Sequence, residues 1–218
     1  MSDAVSRLTE IRTGITAACK LAHRKPENVT LVAVTKGRLA EQIEPLLAAG
    51  HRDFGENRVQ EAAAKWTGLR ARYPDARLHM IGQLQSNKAE EAVALFDAIH
   101  SLDRPSLLSA LVKAGDKAGR LPPAYVQVNI GAEPQKGGVA VDALERFIAA
   151  VRASPLPLAG LMCIPPDDRQ PGPYFALLAE LARRHDLTGL SMGMSNDYRT
   201  AVMMGATAVR VGSALFSN

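Results

Sequence analysis

Thr30-Leu31-Val32-Ala33-Val34-Thr35-Lys36-Gly37-Arg38 decides the architecture. An apolar, β-branched run stops at a basic corner, and a helical pattern begins at Leu39. A short unbroken apolar run of this kind, followed by a helix, reads as a parallel strand buried on both faces. An open dinucleotide-binding sheet would carry a glycine-rich fingerprint at this corner. Lys36-Gly37-Arg38 is no such fingerprint.

Outward from this stretch the same alternation continues. Strands are expected near 30–35, 51–54, 77–81, 97–101, 124–130, 157–163, 188–192 and 207–211. Helices are expected over Leu39–Ala49, Asn57–Arg72, Ser86–Leu95, Pro105–Ala118, Val141–Ala153, Gly172–His185 and Asn196–Met204. Eight parallel strands with crossover helices between them close most simply into a barrel. Val5, Leu8, Ile11, Ile15 and Leu21 recur near helical spacing, so an amphipathic helix over Ala4 to His23 precedes it. Gly50, Gly189 and Gly205 stand where helices hand over to strands and are expected as left-handed caps. The expected fold class is α/β, a (β/α)8 TIM-type barrel with an N-terminal helix and a single domain over 1–218.

The composition narrows the setting. Basic and acidic residues differ by only +4 and are scattered, which gives little support to nucleic-acid binding. Arg70, Arg72 and Arg77 lie close together but read as a solvated helix end. No apolar run approaches the roughly 20 residues that span a bilayer, so no membrane association is expected. Cys19 and Cys163 form no disulfide framework, and no charged-then-apolar leader precedes the first helix. Both features favour a cytoplasmic protein.

In such barrels the chemistry gathers at the C-terminal ends of the strands. Lys36, Glu56-Asn57, Gly82, Asp103, Asn129, Cys163, Ser195-Asn196 and Gly212-Ser213 follow strands one to eight in order. They are expected at one mouth. Lysine supplies the common side-chain amine that condenses with an aldehyde, and partial desolvation at the mouth would favour its free base. Ser191-Met192-Gly193-Met194-Ser195 and Val209-Arg210-Val211-Gly212-Ser213 read as a cradle of backbone N–H groups for a phosphate. Ser195 is also expected to cap the helix that follows it. Arg210 either pairs with an acid of the barrel core or meets the ligand, and its place beside the cradle favours the ligand. His79 is expected inside the barrel and not on a metal, since no second histidine or cysteine stands at ligand spacing. Ser86-Asn87-Lys88 reads equally as a helix cap or as part of the site. Met192, Met203 and Met204 read as core filler, and Met194 as core or ligand lining. A phosphorylated aldehyde held on Lys36 fits this set.

Several strings carry a family resemblance. Ala33-Val34-Thr35-Lys36, Phe54-Gly55-Glu56-Asn57 with Gln60-Glu61, His79-Met80-Ile81-Gly82-Gln83-Leu84-Gln85-Ser86-Asn87-Lys88, Gly160-Leu161-Met162, Ser191 to Ser195 and Val209 to Gly212 resemble the YggS/PROSC family, the pyridoxal phosphate homeostasis proteins. The resemblance implies a barrel similar to the N-terminal domain of alanine racemase, with pyridoxal 5′-phosphate as an aldimine on Lys36. It places Ser195, Gly212 and Ser213 on the phosphate and Arg210 against the ring near its pyridine nitrogen. A fixed positive charge there disfavours ring protonation and weakens the electron sink. Asn57, Asn129 and Met162 match positions around the cofactor, and Lys136 aligns with a loop lysine or is simply solvated. Thr35 stands where the family commonly has serine, Arg38 where some relatives have lysine, and Ser217-Asn218 follow Phe216 where the family commonly ends in Phe-Gly.

The expected function is buffering and delivery of the cofactor, with pyridoxal phosphate-dependent apo-enzymes as partners, a monomeric state and no robust turnover. The alternative is an amino-acid racemase or lyase working from the same lysine. It would need an acid or base at the mouth, with Cys163, His79 or a partner subunit's residue as candidates. A further domain after the eighth strand to supply one is not expected, and none of Tyr73, Tyr125, Tyr174 or Tyr198 lies in a matching motif. A cofactor-free aldolase barrel fits the strings less well.

Overall fold

In the computed structural model, which describes residues 3–216, the strands β1 (Thr30–Val34), β2 (Asp53–Glu56), β3 (Arg77–Met80), β4 (Ala98–Leu102), β5 (Ala124–Val128), β6 (Leu158–Cys163), β7 (Gly189–Ser191) and β8 (Ala208–Val211) close in chain order into one parallel barrel. β1 completes the ring by pairing Thr30 to Ala33 with Ala208 to Val211 of β8. Around it run α2 (Ala40–Ala48), α3 (Val59–Arg72), α4 (Ala89–Leu95), α5 (Pro105–Ala118), α6 (Leu144–Arg152), α7 (Gly172–Arg184) and α8 (Tyr198–Met203), with α1 (Asp3–Leu21) before the barrel and the short α9 (Ser213–Phe216) after it. The expected (β/α)8 barrel with an N-terminal helix is the observed fold. Ser217-Asn218, the departure noted at the C-terminus, lie outside the described residues.

The main apolar core fills the layer between sheet and helices. Leu31, Ala33, Phe54, Leu78, Ile99 and Leu161 of the strands belong to the same buried cluster as Ile43, Trp66, Leu107, Phe147 and Phe175 of the helices. Each fully buried large side chain contributes roughly 1.5–3 kcal/mol of transfer free energy. Leu8, Ile11 and Ile15 are buried where α1 packs on α8. The Arg24 guanidinium ties the end of α1 to this layer by donating to the carbonyls of Val202 and Ala206, at 2.6 and 2.9 Å. Among the described residues no helix is long and apolar enough to cross a membrane.

Three local expectations are corrected. The helices expected from Ser86 and Val141 open with 3₁₀ turns, Ser86–Lys88 and Val141–Ala143, and become α-helical only afterwards. Gly50 and Gly205 do take positive φ, but Gly189 begins β7, where Gly160 and Gly189 bring two backbones so close that a Cβ on Gly189 would lie 2.0 Å from the Ala159 carbonyl. Met192 is core, whereas Met203 and Met204 are partly exposed at the end of α8. Arg70, Arg72 and Arg77 each meet a carboxylate, of Asp97, Glu44 and Asp53 respectively.

Candidate functional site

A cavity of about 890 Å³ opens at the C-terminal ends of the strands. Lys36, Asn57, Asn129, Ser195, Arg210, Gly212 and Ser213 all line it, as do Lys136 and Met194. Met162 does not: it is fully buried, and its register beside Gln127 and Ser191 puts it on the inner face of the barrel. Glu56, Asp103 and Cys163 were expected at this mouth but do not line the cavity. Successive strand residues face opposite ways. Glu56 therefore turns outward onto Trp66 of α3, Cys163 joins the outer apolar cluster, and Asp103 pairs with Arg104 at 2.5 Å.

Lys36 sits on a corner that its neighbours grip from three directions. The buried Thr35 hydroxyl donates to Glu56 Oε1 at 2.5 Å, Lys65 Nζ donates to the Thr35 carbonyl at 2.7 Å, and the Gly37 amide donates to Glu61 Oε1 at 2.5 Å. The Lys36 side chain itself is exposed. The corner projects beyond the end of β1, and Lys36 lines the cavity from there. Arg38 lies over the Phe216 ring, 5.1 Å from its centroid.

Across the cavity the Gly212 and Ala214 amides converge on Ser195 Oγ at 3.3 and 3.2 Å. Ser195 is therefore not a helix cap: α8 begins at Tyr198, and Asp197 Oδ1 instead accepts the Met194 amide at 2.5 Å. With both amides directed at its oxygen, the Ser195 hydroxyl proton is left to point elsewhere. A Cβ on Gly212 would approach Val34 Cβ to 3.1 Å, so this backbone lies tight against β1. Arg210 is only 4% exposed. Its guanidinium donates to Ser191 Oγ at 2.6 Å and to the Cys163 carbonyl at 2.9 Å, and among the described residues no carboxylate bonds it. Burial lowers its pKa from the ordinary value, with the nearby Cys163 and Asp197 opposing the shift, yet guanidinium stays charged in proteins. A buried cation that no carboxylate bonds directly is costly unless an anion completes it.

Asn57 Oδ1 is buried without a hydrogen-bond partner among the described residues. The Asn129 amide is occupied locally: its Nδ2 donates to the Glu133 carbonyl at 2.8 Å and its Oδ1 accepts the Glu133 amide at 3.1 Å, folding residues 129–133 beside the cavity. Lys136 bonds the Pro165 carbonyl at 3.2 Å and pairs with Glu133 at 2.9 Å.

The acid–base candidates lie elsewhere. Burial pushes the Cys163 thiol up to about 12, and His79 lies in the barrel interior against His100 and Asp53. No histidine, cysteine or tyrosine lines the cavity among the described residues. No group of three metal-ligating side chains is found among them either. Sequence reasoning missed His100, Gln83, Gln127 and the Lys65 clamp. Polar residues at alternate positions of otherwise apolar strands were the available signal for His100 and Gln127.

A closed parallel barrel with a lysine after its first strand and converging amides after its seventh and eighth belongs to the class of (β/α)8 barrels whose mouth is built from the loops after the strands, where phosphate sites of this fold commonly lie. The chain belongs to the pyridoxal phosphate homeostasis protein family, within the wider family described as alanine racemase, N-terminal domain, whose model matches residues 8–218. It is 35% identical to the pyridoxal phosphate homeostasis protein of Escherichia coli, over 99% of this chain and 97% of that one. It is 40% identical to the protein of the same name from Deinococcus radiodurans, over 95% and 98%. The structure of PipY from Synechococcus elongatus, solved with PLP bound, superposes with a TM-score of 0.86 at 36% identity and covers 98% of this chain and all of that one. An alanine racemase of Clostridium difficile shares the fold, with a TM-score of 0.70 at 11% identity, and this chain covers 56% of it.

Proposed function

We propose that this protein binds pyridoxal 5′-phosphate at the barrel mouth and serves to buffer and deliver it within the cytoplasm, with 1–218 acting as one cofactor-binding unit. The observation that carries this reading is the meeting, in one cavity, of an exposed lysine, the Ser195 and Gly212 loops whose amides converge, and a buried guanidinium that no carboxylate bonds among the described residues. The full-length likeness to pyridoxal phosphate homeostasis proteins, and to PipY with PLP bound, supports it.

The residues fit the group. Lys36 would supply the amine for its aldehyde, and Ser195, Gly212 and Ser213, which line the same cavity, would hold its phosphate. Arg210 would provide a fixed charge beside the group, Asn57 Oδ1, buried without a partner among the described residues, would offer an acceptor, Asn129 would hold the neighbouring turn, and Met162 would support the site from the barrel interior without lining the cavity. When bound, pyridoxal phosphate supplies an electrophilic aldehyde on an electron-withdrawing ring. An arginine beside that ring would disfavour its protonation, and among the described residues no imidazole, thiol or phenol lines the cavity. These features favour holding over turnover. An open mouth permits exchange with apo-enzymes, and the protein needs no second copy for the set of groups named here.

The test is uptake of pyridoxal phosphate followed by absorbance, borohydride reduction and peptide mapping. The expected result is a yellow protein whose reduced adduct maps to the Lys36 peptide and is absent from Lys36→Ala. A protein that stays colourless, or an adduct on another lysine, overturns the reading. Racemisation of alanine at ordinary enzyme rates would overturn the carrier role.

A further inference from the structure

The interior of this barrel is crossed by an unbroken line of polar side chains. Arg77 donates to both carboxylate oxygens of Asp53, at 2.7 and 2.5 Å. Asp53 Oδ1 lies 3.1 Å from His79 Nε2, and His79 Nδ1 lies 3.0 Å from His100 Nε2. His100 Nδ1 lies 2.7 Å from Ser191 Oγ, which receives the Arg210 guanidinium at 2.6 Å. The line starts at the first residues of β2 and β3, runs through β4 and β7, and ends on β8 at the cavity.

Proton accounting leaves one consistent arrangement with neutral imidazoles. Burial opposes ionisation of Asp53, but the bonds from Arg77 and His79 override it and hold the carboxyl well below its usual range. Asp53 is therefore an acceptor, and His79 must donate to it from Nε2. A neutral imidazole then accepts at its other nitrogen. His79 Nδ1 thus accepts from His100 Nε2, His100 Nδ1 accepts from the Ser191 hydroxyl, and Ser191 Oγ accepts from Arg210. Burial foremost, with the nearby Arg210 charge, keeps His100 far below its ordinary pKa and so neutral. The Tyr125 ring stacks on His100 at 4.5 Å, and burial pushes the Tyr125 phenol up.

We infer that Asp53, His79, His100 and Ser191 form a one-way hydrogen-bonded chain through which a carboxylate at the closed end of the barrel positions Arg210 as a donor at the mouth. His100 and Ser191 are positioning residues: they act through Arg210. A reversed chain would present the Ser191 hydroxyl with two donors, Arg210 and His100, and leave its own proton without the acceptor it has now. Chains of this kind polarise one another, so the direction set at Asp53 is felt at the far end. The effect on the cofactor rests on the function proposed above; the direction of the chain does not.

Two measurements test it. In ligand-free protein labelled with ¹⁵N-histidine, assigned with His79→Gln and His100→Gln, His79 and His100 are expected as neutral Nε2–H tautomers across neutral pH. An Nδ1–H tautomer or an imidazolium at either position overturns the chain. In the pyridoxal phosphate-loaded protein, Asp53→Asn is expected to change the cofactor release rate by about 5-fold or more and to shift the absorbance maximum, an effect of the size of ordinary intersite coupling. The same substitution in a Ser191→Ala background is expected to do neither, because the link is cut. Equal effects in both backgrounds, or none in either, overturn the positioning role. Should Asp53→Asn not fold, His79→Gln breaks a different link and enters the same cycle. Failure of the wild type to take up cofactor overturns the functional reading and leaves the tautomer result standing.

Discussion

Lys65 Nζ lies 2.8 Å from Glu56 Oε1 with both side chains almost closed to solvent, and Lys65 also holds the carbonyl of Thr35, the residue before Lys36. Oε1 of Glu56 further accepts the Thr35 hydroxyl and the Trp66 indole, while its Oε2 is buried and unpartnered. One carboxylate thereby anchors both the core and the corner that bears Lys36. Breaking such a pair from one side leaves an uncompensated buried charge. Lys65→Met is expected to cost about 3–5 kcal/mol in urea unfolding, and Lys65→Met with Glu56→Gln to recover part of that. A double variant no better than the single would overturn the account.

Stability is expected to fall in mild acid through His51. This ring is buried, with Nε2 on the Asp53 carbonyl at 2.8 Å and Nδ1 on Arg12 at 3.2 Å. Burial foremost, then the Arg12 charge, pushes its pKa down to about 4. The folded value lies below the unfolded one of about 6.5, so the unfolded chain binds the proton more tightly. The contribution is complete above the unfolded pKa and is lost as pH falls toward the folded one. Unfolding free energy is expected to drop by about 2 kcal/mol between about pH 7.5 and about pH 5. His51→Gln should flatten that slope, and a slope unchanged in the variant would assign it to another group.

Gly160→Ala is expected to destabilise by about 2–5 kcal/mol, the sum of backbone strain and overpacking. Its φ is +152°, and a Cβ there would lie 2.0 Å from the Gly189 carbonyl oxygen. Gly68→Ala, in the exposed face of α3 with nothing within 4 Å, is expected to stabilise by about 0.5–1 kcal/mol. Thermal unfolding of the pair distinguishes crowding from a general effect of removing glycine.

Asn129→Ala is expected to loosen the turn at the cavity edge, since the amide makes both hydrogen bonds that tie residue 129 to Glu133. Hydrogen exchange over 129–137 should rise while the remaining strands stay protected. Release of pyridoxal phosphate should quicken by several-fold, about 1 kcal/mol per lost bond. Unchanged exchange in this segment would show that the turn is held by Lys136 and Glu133 instead.

Much of the site was legible because it sits at strand ends. Lys36, Ser195, Arg210 and Gly212 each follow or close an apolar run, and in a parallel barrel every such run delivers its next residues to the same face. Misplacements came where one residue of pleat decides the direction. Gly55 belongs to the interior while Glu56 turns out to Trp66, and Cys163 turns out while its neighbour Met162 turns in. Ser195 was misread as a cap because Asp197 competes for the same turn and holds it from the other side.

The sequence by itself determined the strands, the crossover helices, the barrel they make and the lysine and amides at its mouth, because period and turn chemistry are local properties of the chain. The contact between His100 and Ser191, 91 residues apart, was decided only by closure. β4 and β7 are not neighbours in the sheet, so their side chains meet only once the sheet has curled round and the lumen is narrow enough to be bridged. The clamp on Thr35 and the bonding of Arg210 to Ser191 and the Cys163 carbonyl are of the same kind. Such pairings depend on distance through the fold, and nothing in the spacing of residues along the chain encodes it.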